Sequence, residues 1–127
     1  MFVNGTADNV VPYQGGAVKI LKLFDFGSVF SAENTVQHWV EAAESGMAPS
    51  VQHLDTVDDE TSIDLSVWSQ PGKPEVRAYR VNGGKHTVTM PASGGACDDL
   101  LSTSHDMNTV EQAWMFFQGA ANLTSDP

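Results

Sequence analysis

Cysteine, positive charge and long apolar runs are all scarce in this chain. Cys97 is its single cysteine, which excludes an internal disulfide and any cysteine-rich zinc site. No helix start or base stands near Cys97 to activate the thiol as a nucleophile. Six Lys and Arg face 16 Asp and Glu, a formal net charge of −10. There is no basic footprint for phosphates, which argues against nucleic acid and anionic membrane surfaces as partners. The acidity reads as solubility or a salty habitat rather than as a cation site. No apolar run approaches the roughly 20 residues of a membrane span. The opening "MFVNGTAD" has neither the charged nor the apolar region of a secretory signal. If the protein is secreted, its signal is expected outside this chain, and the compartment stays open.

What is present is an ordinary globular composition, 127 residues with 41% hydrophobic content, enough for one domain with a core. "MFV" (1–3) reads as a short buried parallel strand running into the turn Asn4-Gly5-Thr6. Residues 17–24, "AVKILKLF", suit either a strand or a helical turn. "AENTVQHWVEAAES" (32–45) is an amphipathic helix with Val36, Trp39, Val40 and Ala43 on its apolar face. Ser31 is its N-cap and Gly46 its left-handed stop. Residues 47–61 are polar and acidic and read as a loop. "SIDLSVWS" then alternates, with Ile63, Leu65 and Val67 on one face and Asp64, Ser66 and Trp68 on the other. "QPGKP" (70–74) turns the chain into a second strand, "EVRAYRV" (75–81). Asn108 and Glu111 make a capping box for a last helix over 110–118. Val110, Ala113, Trp114 and Phe117 form its apolar face, though the helix is apolar nearly all round.

The order is strand, acid-bearing loop, helix, hairpin, histidine-bearing loop, helix. It predicts an α/β fold in which strands 1–3 and 75–81 lie parallel, joined by a crossover containing helix 32–45. Loops at the carboxyl ends of parallel strands share one rim, where sites form. Asp8 and His86 each follow such an end, so the topology brings a carboxylate and an imidazole together. A carboxylate on one ring nitrogen fixes the tautomer of a general base and stabilises the imidazolium. Gly83 and Gly84 allow the sharp turn to His86, Gly5 does the same for Asp8, and Pro12 stiffens the exit. The other histidines read as ordinary. His38 is surface on its helix, His53 lies in the acidic loop near Asp55, and His105 leads into the last helix. Their spacing does not suit a metal site.

Four stretches taken together resemble one family. "NGTADNVVPYQGG" looks like the acid loop of the polyhydroxybutyrate depolymerase and feruloyl or acetylxylan esterase-like α/β-hydrolases, whose pattern is His-Gly-Thr-x-Asp, then Val-Pro-Tyr and Gly-Gly. "SAENTVQHWVEAAESG" resembles the helix that follows, with Trp39 at its aromatic position. "EVRAYRVNGGKHTVTMP" is similar to the strand and Gly-Gly-x-His-Thr-Trp-Pro-Gly loop. "STSHDMNTVEQAWMFFQ" resembles the closing Thr-Ser-x-Asp and Trp-x-Phe-Phe helix. The pieces run in order from residue 1 to about 118. The resemblance implies Asp8 as triad acid, His86 as triad base, no cofactor and no metal, and an ester substrate, a polyester or an acyl or feruloyl ester. Three places depart from the pattern: Asn4 stands for His, Lys85 for Gly, and Val88 and Thr89 for Trp-Pro.

A triad of this fold also needs a serine on a Gly-x-Ser-x-Gly elbow preceding the acid. Gly27-Ser28-Val29-Phe30-Ser31 lacks the spacing, and Ala92-Ser93-Gly94-Gly95 lacks the first glycine and the strand before it. The expectation is therefore the carboxyl-terminal part of an α/β-hydrolase sheet, parallel strands plus an edge hairpin strand with at least two helices. One partial domain would span 1–127, with the nucleophile-bearing part elsewhere and the chain inactive alone. Such a remnant exposes a strand edge and apolar surface, which predicts a complementing chain, oligomerisation or aggregation. The other reading is a non-catalytic α/β interaction module that binds a partner through that edge and the last helix.

Overall fold

The structure, a computed structural model, describes residues 1–20, 24–89 and 104–123. Its elements are β1 (Phe2–Gly5), β2 (Gly16–Ile20), β3 (Phe24–Val29), α1 (Ala32–Ala43), β4 (Ser50–Leu54), β5 (Ser62–Trp68), β6 (Val76–Asn82) and α2 (Thr109–Leu123). Four strands form one mixed sheet in the order β1-β6-β5-β4, and β2 pairs with β3 apart from it. β1 and β6 run parallel, as the order of elements predicted, with Phe2 opposite Ala78 and Gly5 opposite Val81. The remaining pairings are antiparallel. The content is α/β-like, one parallel pairing within a largely antiparallel sheet, plus two helices among the described residues.

Alternation along the strands gives the sheet two apolar faces. On one, Val36 and Val40 of α1 pack on Val76, Phe2, Ala78 and Trp68. On the other, Ile63, Tyr79 and Val81 gather with Met107, and Val3, Leu54 and Leu65 close around them. Each buried valine contributes roughly 2 kcal/mol by leaving water. The Ser31 hydroxyl caps α1 by accepting the Asn34 N–H at 3.1 Å, as its position before the apolar run implies. The helix ends earlier than Gly46, however. Glu44 takes the left-handed conformation, φ 52°, and its N–H closes onto the Glu41 and Val40 carbonyls.

Three other expectations change, and the reading of 17–24, left open between strand and helical turn, is decided. Residues 47–61 are not all loop: β4 forms there, an edge strand paired with β5 from Ser50–Val67 to Leu54–Ile63. Its residues are exposed up to Leu54, so it lacks the apolar signal of a strand and exists because β5 offers an open ladder. Residues 17–24 contribute strand, and 24–29 pair back on it as a second hairpin. Trp39 is 53% exposed, at the margin of the helix face rather than on it. On α2, Val110, Trp114 and Phe117 are 64%, 64% and 62% exposed. The helix instead turns Gln112 and Phe116 to the sheet, four residues apart and so on one face. Tyr79 donates to Gln112 Oε1 at 3.3 Å, and the Arg77 guanidinium lies 5.7 Å over the Phe116 ring. The sheet offers a hydroxyl and a cation there, and these two contacts mark the side of α2 that faces it.

Candidate functional site

Where β1 and β6 end side by side, the two loops leave the sheet together. The Thr6 N–H donates to the Val81 carbonyl and the Ala7 N–H to the Gly84 carbonyl, both at 2.9 Å. Gly5 is required by this contact and not by a special dihedral. A Cβ there would sit 2.2 Å from the Gly84 carbonyl oxygen. Gly83 does need its glycine for conformation, with φ +74°.

Asp8 and His86, 78 residues apart in the chain, meet here with His86 Nδ1 2.8 Å from Asp8 Oδ2. The other oxygen of Asp8 accepts the Val10 and Val11 N–H groups, each at 2.8 Å. The carboxylate therefore shapes its own turn while it orients the imidazole. Its side chain is 12% exposed and that of His86 56%. Burial pulls the Asp8 carboxyl upward, but the bond to His86 and the two backbone N–H groups outweigh it. The net position lies below the ordinary carboxylate value. Asp8 is thus held as the charged acceptor, which makes Nδ1 the protonated nitrogen. Nε2 is left as the one able to take up or release a proton.

The histidine loop is anchored beyond His86 as well. Thr89 is 2% exposed; its hydroxyl meets that of Thr109 at 2.5 Å, and its carbonyl accepts the Thr109 N–H at 3.0 Å. The position that departs from the family pattern thus ties the loop to the start of α2. Two carboxylates brace the neighbouring loop, Asp59, which the sequence reading did not single out, and Asp106, the Asp of the Thr-Ser-x-Asp stretch. Asp59 accepts from the Thr61 N–H at 3.0 Å and the His105 N–H at 2.8 Å. Asp106 accepts from the Thr56 N–H at 2.6 Å and the Val57 N–H at 3.0 Å. For Asp59 the only sequence signal is a Thr two residues on, which is frequent in loops of any kind.

The remaining histidines separate cleanly. His38 is exposed on α1, edge-on to Trp39, and His105 leads into α2 as read. His53 is not in a loop beside Asp55. It lies on β4, with Nδ1 2.7 Å from Asp64 Oδ1, and Asn82 Nδ2 donates to Asp64 Oδ2 at 2.9 Å. Among the described residues no group of three or more His, Cys, Asp or Glu could hold a metal ion. No helix among them is long and apolar enough to cross a membrane. Ser28 lies within β3 and Ser31 caps α1, so neither occupies a nucleophile elbow. Cys97 and Ala92-Ser93-Gly94-Gly95 lie outside the described residues. A cavity of about 380 Å³ between α1 and the sheet is lined by Asn4, Tyr13, Asp64, Trp68 and Arg80 among others. It includes neither Asp8 nor His86, whose rim is open. Comparison with known proteins finds no matching family model, no matching curated protein and no matching solved structure.

Proposed function

We propose that this chain supplies the acid and the base of a serine carboxylic ester hydrolase, of the polyhydroxybutyrate depolymerase and feruloyl esterase-like kind. The nucleophilic serine comes from polypeptide outside these 127 residues. The reading rests above all on the 2.8 Å bond between His86 Nδ1 and Asp8 Oδ2, made by loops that follow neighbouring parallel strands. In the reaction His86 Nε2 accepts the serine proton as the serine oxygen attacks the ester carbonyl. It then returns that proton to the departing alcohol. A water, deprotonated by the same nitrogen, releases the acid and restores the serine. Asp8 keeps the ring in the required tautomer and stabilises its cation, while backbone amides of the missing part hold the oxyanion. The second edge of β1, unpaired among the described residues, supports a neighbouring strand from that part.

The test is hydrolysis of p-nitrophenyl acetate by the chain joined to a polypeptide bearing a Gly-x-Ser-x-Gly elbow. Activity should appear on joining and vanish in His86→Ala and in a serine-to-alanine elbow variant. Activity that survives His86→Ala rejects the proposal. Turnover by the isolated chain that His86→Ala removes rejects the missing nucleophile.

The exposure of Val110, Trp114 and Phe117 on α2 favours a second reading, a non-catalytic module that binds a partner by this surface. In that case Asp8→Asn and His86→Ala leave partner binding unchanged.

A further inference from the structure

We infer that Thr6 is a positioning residue that sets the distance between the acid and histidine loops, an inference resting on the Asp8–His86 pair of the preceding section. The ladder between β1 and β6 continues past Gly5, because the Thr6 N–H still donates to the Val81 carbonyl at 2.9 Å. In a parallel ladder the next bond would run from the Gly83 N–H to the Thr6 carbonyl. It does not. The Gly83 N–H donates to the Thr6 hydroxyl at 2.9 Å instead. The side chain takes the place of the backbone acceptor, so the ladder is satisfied while the Thr6 carbonyl is released and the main chain turns toward Asp8.

The same bond decides where His86 begins its approach. Gly83 is in the left-handed region, φ +74°, with the Glu60 carbonyl close behind it, 3.0 Å from where a Cβ would stand. It is thus held between the Thr6 hydroxyl in front and the 59–61 turn behind. One residue separates Thr6 from Asp8 and two separate Gly83 from His86, so little slack remains between this bond and the pair. A threonine suits the task better than a serine, since its branched Cβ restricts the rotation that aims the hydroxyl.

Nuclear magnetic resonance of the whole chain tests this without any ester substrate. The proton on His86 Nδ1, bonded to a carboxylate, should give a downfield resonance protected from exchange, assigned by its loss in Asp8→Asn. Thr6→Val keeps the shape and removes the acceptor; it should lose that resonance and move the Asp8 titration up toward the ordinary carboxylate value. Asp59, held by separate N–H groups, should titrate as before, which a general loosening of the fold would not allow. Thr6→Ser should restore both signals. Retention of the resonance in Thr6→Val overturns the inference. Should Thr6→Val disturb Asp59 too, Thr6→Ser decides, and its failure to restore the resonance also overturns the inference. Absence of ester cleavage from every joined form would reject the hydrolase reading and leave this positioning intact.

Discussion

His86 and His53 each bond a carboxylate through Nδ1, at nearly equal lengths, 2.8 Å for His86 with Asp8 and 2.7 Å for His53 with Asp64. Their surroundings differ. His53 and Asp64 face each other across adjacent antiparallel strands in direct register, so ordinary pairing is enough to join them. The Asp64 side chain is 34% exposed against 12% for Asp8. Asp64 is steadied by the side chain of Asn82, whereas Asp8 is steadied by two backbone N–H groups of its own turn. The first pair is a by-product of a sheet row. The second exists only because two loops far apart in the chain are joined where they leave the sheet, Thr6 to Val81 and Gly83 and Ala7 to Gly84. A histidine–carboxylate distance therefore carries no function by itself; the means of holding the carboxylate distinguishes the two.

Breaking the convergence of the loops should give the largest effect. Gly5→Ala forces a methyl onto the Gly84 carbonyl, an overpacking that costs about 3 kcal/mol in urea unfolding. In the folded fraction it should separate Asp8 from His86 while His53 and Asp64 stay paired, as imidazole resonances would report. Asp8→Asn comes next. It retains an oxygen for the Val10 and Val11 N–H groups but loses a charged bond, for about 1–2 kcal/mol of stability. Asp64→Asn should cost clearly less in the same measurement, because its pair is solvent-screened. An equal cost would erase the contrast drawn here.

The pH dependence separates Asp8 from His53 by sign. Asp8 sits below its usual 3.8, so its contribution is complete above that value and drains away as pH falls through the lowered one. His53 is raised above 6.5, chiefly by its bond to Asp64. Its contribution is complete below 6.5 and is lost as pH rises through the raised value. Unfolding curves across pH should show Asp8→Asn flattening the acid limb and His53→Gln a part of the limb above neutrality. Asp64 is lowered as well, by its bonds to Asn82 and His53, so His53→Gln also reaches the acid limb; the assignment of the two pairs fails if it leaves the limb above neutrality unchanged. The smallest expected effect is that of His53→Gln in alkaline solution above the raised value, where unfolding should differ least from the parent.

Legibility followed the kind of contact each residue makes. Helix α1 could be read because its valines recur at helical spacing and Ser31 precedes them. β1, β5 and β6 could be read because they alternate or stay apolar between turn residues. β4 could not, since an exposed edge strand has no reason to be apolar; its strand character belongs to its neighbour. The face of α2 could not either, because a helix apolar all round has no pattern to give its rotation. Of the site, Asp8 and His86 were found from loop position and family-like motifs. The bracing roles of Thr89, Asp59 and Asp106 were not, as a polar group that bonds a partner distant in the chain leaves no periodic trace.

Local periodicity and turn chemistry determined which segments became strands and helices, and the order of those segments was enough to set β1 parallel to β6. Which imidazole received a half-buried carboxylate held by two backbone N–H groups was decided only when the chain closed on itself. That choice depends on two loops packing within a methyl group's width of each other, a constraint between residues with no shared sequence neighbourhood.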